Sequence, residues 1–173
     1  MCKVRFAKDL DKSVFPGIQS DMHAQTIASK AVVLKEAASP EFAEYARQIV
    51  RNSRKLAEAL IVRGFRLVSG GTDTHLLIVD LRAKGLTGVA AEKNLEKCGI
   101  YVNRNKVPFD ERPPLITSGI RIATSVLTRR GMKESEMDSI AEFIERSLNH
   151  IDDLPVIAQI RNDVEALAKR FIP

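Results

Sequence analysis

The chain has 173 residues, 45% of them hydrophobic and 28% charged, with 27 basic against 22 acidic side chains and a net charge of +5. That balance describes an ordinary soluble globular domain, alone or with an appendage, and excludes a disordered or fibrous chain. It also speaks against a nucleic-acid surface, because no basic run exceeds two residues and the few aromatics (5%) do not interleave with basic ones.

Val4 to Ala7 forms a short apolar stretch, read as strand or loop, that leads through polar residues to Phe15-Pro16-Gly17, a turn. From about Met22 to Ala38 the apolar residues Ile27, Ala31, Leu34 and Ala38 fall at helical spacing. Ser39 then reads as an N-cap with Pro40 in the first position of a second helix. Its stripe runs from Phe42 to Leu60, and Gly64 ends it. Beyond Gly64 the period changes. Phe65–Val68 and Leu76–Val79 are β-rich and flank the turn chemistry of residues 69–73. Thr87 caps a third helix ending near Cys98-Gly99, and Ile100–Val102 and Gly119–Ala123 read as strands around a proline-rich loop. Lys133–Leu148 and Leu154–Phe171 complete the chain as helices.

This order implies an α/β fold: a two-layer sandwich with a small, largely antiparallel sheet over residues 64–173, preceded by a helical arm over residues 1–63. The first helix of the arm reads as a connector to something beyond these residues. No stretch reaches the roughly 20 apolar residues of a membrane span, and residues 1–7 contain no signal core. Cys2, Cys98 and the three histidines match no metal or redox spacing, so a reduced, cytoplasmic protein without a metal site is expected.

Three segments carry a resemblance to a known family. They are residues 13–17 with the helix ASKAVVLKE (Ala28–Glu36), the run Val68-Ser69-Gly70-Gly71-Thr72-Asp73 continuing through His75 to Leu81, and Val102–Asn105 through Thr117-Ser118-Gly119-Ile120-Arg121. From about Ser13 to Asn149 the chain resembles the C-terminal portion of serine hydroxymethyltransferases. The resemblance implies the small C-terminal domain of the aspartate-aminotransferase fold type. It also implies pyridoxal phosphate as cofactor, tetrahydrofolate as co-substrate, and serine and glycine as substrates. It covers nothing of the large domain. No Thr-Thr-His-Lys-like segment occurs, and none of the twelve lysines sits in the context of the lysine that bonds the cofactor.

The resemblance places the substrate-carboxylate arginine at Arg121, whose planar fork suits two charge-assisted bonds to a carboxylate. From the residues alone, a strand arginine facing solvent is the simpler reading. Asn105 corresponds to an asparagine that hydrogen-bonds the folate ring, with a turn-forming loop asparagine as the plain alternative. Arg104 is read either as a neighbour of the folate tail or as a solvated loop charge. Where the family has paired glycines against the cofactor phosphate of a neighbouring subunit, this chain has Ser20 and Asp21. Either Asp21 points away, as it would in capping the following helix, or the phosphate function is lost, since like charges about 4 Å apart repel by about 4 kcal/mol at an effective dielectric near 20. His75, Gly70 and Gly71 are read as structural, and no catalytic residue is assigned.

Three functions stay open. One is a serine hydroxymethyltransferase-like activity that needs a partner chain bearing the large domain. The second is a regulatory module pairing with a full-length relative or with itself as a homo-oligomer. The third is a decayed fragment. No nucleic-acid or membrane partner is expected.

Overall fold

The computed structural model describes residues 2–171. The chain divides into two compact units, Met1–Phe42 and Ala43–Pro173. This division falls inside a helix rather than at its end near residue 63, because that helix gives most of its length to the core of the second unit.

In the first unit the stretch expected as strand or loop is helical. A single tight turn over Val4–Phe6 runs into α1 (Ala7–Lys12). A strand there would have no neighbour to bond, whereas a helix satisfies its backbone groups locally. Proline has no N–H and restricts the residue before it, so regular structure breaks at Phe15-Pro16, where Phe15 is extended (φ −136°, ψ 123°). The helix α2 (Ala24–Ala37) starts with His23 in the cap position and no side-chain cap. Asp21 therefore does not cap it: a cap must reach amides two or three residues on, and Asp21 sits two residues too early. Among the described residues, none before Ile49 is buried.

α3 (Pro40–Val62) begins as its sequence implies, with the Phe42 amide donating to Ser39 Oγ at 3.1 Å. Ile49, Leu56, Ala57 and Leu60 form its buried stripe, and Gly64 leaves the helix at φ +79°. Four strands follow: β1 (Arg66–Leu67), β2 (Leu76–Asp80), β3 (Asn103–Asn105) and β4 (Gly119–Ala123). The sheet order is β1-β2-β4-β3 and every pairing is antiparallel, so β4 is central. The α/β class and the small antiparallel sheet match the sequence reading. The remaining helices are α4 (Gly88–Lys97), α5 (Ser125–Arg129), α6 (Glu134–Asn149) and α7 (Leu154–Lys169).

Alternation along the strands decides which face is which. Leu77, Val79, Ile120 and Ile122 point into a core shared with Leu56 and Leu60 of α3, Leu95 of α4, and Met137 and Ile144 of α6. The intervening residues face the other way. β3 departs from its expected place at Ile100–Val102. Ile100 and Val102 instead pack on the core as half-buried loop residues, and the pairing runs through polar Asn103–Asn105.

The three long helices that begin in this unit have capped N-termini. Thr87 Oγ1 accepts from Ala90 N, while Gly88 N and Val89 N donate to the carbonyls of Thr117 and Ile116. Glu136 accepts from Lys133 N at the start of α6, and Asp153 from Val156 N at the start of α7. Gly88 is required for the first of these contacts. A Cβ there would lie 2.0 Å from Thr117 Oγ1 and 2.5 Å from Gly119 O. Among the described residues no helix is long and apolar enough to cross a membrane, and no cluster of His, Cys, Asp or Glu could hold a metal ion.

Candidate functional site

β4 presents Arg121 on the open face of the sheet, between buried Ile120 and Ile122. Its register neighbours there are Ile78 of β2 and Asn103 of β3. One guanidinium nitrogen, Nη2, reaches Asn103 Oδ1 at 3.5 Å, and no carboxylate pairs with Arg121 among the described residues. Alternation puts one acidic residue on this face, Asp80. That carboxylate is filled by Arg82, with Nε 3.0 Å from Oδ1 and Nη2 2.7 Å from Oδ2, and Arg82 N also donates to it. The Arg82 hydrogen bonds hold the Asp80 carboxyl below its ordinary range despite its burial. Arg121 is thus an exposed fork with most of its five donors unused.

Asn105 lies two residues from Asn103 along β3, on the same face, paired with Gly119. Its Nδ2 donates to the Lys106 carbonyl at 2.7 Å. The structure therefore brings Arg121 and Asn105 onto one sheet face. Gly119 makes this approach possible, since a Cβ there would meet Val79 O at 2.6 Å and Val107 Cγ1 at 2.7 Å. Arg104 points the opposite way and, half-buried, pairs with Glu92 of α4 at 3.0 Å, so its charge is already engaged. Ser20 and Asp21 belong to the N-terminal unit, where both are exposed and Asp21 accepts no hydrogen bond among the described residues.

The loop between β3 and β4 is organised by a residue the sequence reading passed over. Asp110 accepts from Ser118 Oγ at 2.7 Å, Ser118 N at 2.8 Å, Arg112 N at 3.1 Å and Val107 N at 3.3 Å. Burial raises its pKa, but the four donors outweigh it and bring the carboxyl down to about 2. The signal in the sequence was an aspartate whose backbone amide partner lies two residues on, the mark of an Asx turn. Asn103 was also missed, because only the register with β4 reveals it.

A cavity of about 630 Å³ opens beside Arg121, with His75, Asn103, Arg121 and Arg130 among its polar lining and no lysine, aspartate or glutamate. His75 otherwise contributes its carbonyl to Thr124 N.

The family model described as serine hydroxymethyltransferase matches residues 2–144 of the 173. The chain belongs to the serine hydroxymethyltransferase family. The open-face arginine and the loop pinned by Asp110 both lie inside the matched range. Pyridoxal phosphate, the cofactor that the family implies, finds no fit around Arg121. No lysine amine is there to bond its aldehyde, and no carboxylate to pair with its ring nitrogen. The sheet face around Arg121 offers an anion fork and an amide, not a cofactor cradle.

Proposed function

We propose that this chain supplies the substrate-carboxylate and folate-side part of a serine hydroxymethyltransferase-like site, one that interconverts serine and glycine with tetrahydrofolate as carbon carrier. Alone it is inactive. The observation that carries this reading is Arg121, an exposed guanidinium at the centre of an open sheet face, left without a carboxylate because Arg82 occupies the nearby one. A pyridoxal enzyme needs such a fork because holding the amino-acid carboxylate fixes which Cα bond stands perpendicular to the ring. Asn105, on the same face, supplies a donor and an acceptor for the mixed edge of a pterin. To use both it must release the Lys106 carbonyl.

The cofactor and the lysine that bonds it would come from a chain carrying the large domain. A partner is supported by the N-terminal unit, where Val4, Ile18 and Met22 are each more than 80% exposed. Ser20 and Asp21 stand where a neighbouring subunit's cofactor phosphate would be met. The unengaged Asp21 carboxylate would repel that phosphate, and this favours a second reading: a non-catalytic module that pairs with a full-length relative. One experiment separates the two. The chain is expressed alone and with a large-domain chain, and cofactor absorbance and serine cleavage with tetrahydrofolate are measured. Turnover only in the pair supports the first reading, and binding with inhibition of a full-length relative supports the second. Turnover by the chain alone, with one of its lysines trapped by borohydride, would overturn both.

A further inference from the structure

We propose that the cavity beside Arg121 is a binding site for a small amphipathic carboxylate, an anionic head on a linear aliphatic tail, held by this chain without cofactor or partner. Its volume of about 630 Å³ lies within the range of small-molecule sites, roughly 300–1,000 Å³. Its wall comes from three places in one compact unit: the ends of β2 and β4, the loop before β3, and the facing sides of α5, α6 and α7. Ile100, Leu127, Phe143, Val164 and Leu167 line it and are only half-buried. These are side chains packed on one side and unfilled on the other, and an aliphatic tail would complete their burial.

Charge selects the head. Two arginines line the cavity and, among the described residues, no acidic residue does. Arg130 is committed to the end of α7, donating to Phe171 O at 2.9 Å and Ala168 O at 3.0 Å, and contributes charge but few free donors. Arg121 has the freer fork: among the described residues its one side-chain hydrogen bond is to Asn103 at 3.5 Å. A carboxylate on Arg121 therefore sets its tail among the apolar residues. An amine of the same length would meet like charge, and an alcohol would leave the fork unfilled.

The site shares Arg121 with the function proposed above but needs neither its cofactor nor its second chain. Calorimetric titration of the full chain with the carboxylate series from butyrate to octanoate tests it. Affinity is expected to rise about fourfold per added methylene, the slope of aliphatic burial. Octanol, octylamine and acetate should each bind at least about tenfold more weakly than octanoate, and Arg121→Gln should weaken octanoate by about tenfold or more. Val164→Phe, which fills the cavity from α7, should abolish the tail-length slope, with thermal melts showing that each variant is folded. A flat length series, octanol binding as tightly as octanoate, or an unaffected Arg121→Gln would each overturn the proposal. Octanol equal to octanoate would mean an apolar surface for another occupant, such as a peptide. Octanoate binding without serine turnover in the paired chains would retain this site and remove the enzymatic reading; the converse result would do the opposite.

Discussion

The corner at the end of β2 and the open face of β4 use the same side chain to opposite ends. Arg82 lies just past its strand, so its guanidinium swings back onto the carboxylate two residues earlier and closes both forks against each other. Arg121 lies in mid-strand, where neighbours on its face are Ile78, Asn103 and Ala123, and nothing acidic is left to take it. The first arrangement is a folding device. The second leaves the recognition chemistry of a bidentate fork available to a molecule from outside. A structural arginine and a binding arginine are told apart by whether the fold has already supplied the anion.

The sharpest way to break this comparison is Arg121→Ala in a competent assembly with a large-domain chain. Losing two charge-assisted bonds should weaken glycine binding by roughly two to four orders of magnitude, read from the cofactor's spectral change. Arg121→Lys should also fail substantially, since an ammonium cannot reproduce the planar fork. The melting temperature of the chain should barely move in either variant. Unchanged glycine affinity in Arg121→Ala would remove the clamp from the reading. Asp80→Ala should do the reverse. It deletes a buried carboxylate and strands its donors, for a stability loss of about 1–3 kcal/mol by urea denaturation.

Acid extends the comparison to Asp110. Its folded pKa lies near 2, below the ordinary 3.8, so ionisation favours the folded state. That contribution is complete above about pH 4 and is lost as the pH falls toward about 2. The stability difference between the parent chain and Asp110→Asn should therefore be largest above pH 4 and shrink toward pH 2. A difference constant across that range would mean that the four donors do not favour the ionised form. The smallest effect is expected from Asn105→Ala. It should leave glycine binding and stability unchanged and impair only serine cleavage that depends on folate, measured with and without tetrahydrofolate.

Local chemistry made much of the fold legible. Ser39-Pro40, Thr87 and Pro155 mark helix starts because caps and proline act within a few residues, and β4 spans the residues its β-branched run implies. β3 was misplaced because apolar Ile100–Val102 looks more strand-like than Asn103-Arg104-Asn105, whereas pairing is set by the partner strand at Gly119. α5, at five residues, is too short to show a period. Of the site, Arg121 and Asn105 were reached through resemblance to the family. Asn103, Asp110 and the cavity depend on contacts between residues far apart in the chain, which no local pattern displays.

The capped helices of the second unit have a consequence for selectivity. Helix starts commonly bind anions because their first amides point outward with a partial positive charge, and such cradles suit the tetrahedral phosphate. Here α4 and α7 have already spent amides on Thr87, two loop carbonyls and Asp153, and Glu136 folds back on the amide of Lys133 just before α6. An anion that reaches Arg121 itself meets a flat guanidinium, and that planar fork favours two coplanar oxygens over a tetrahedron of them.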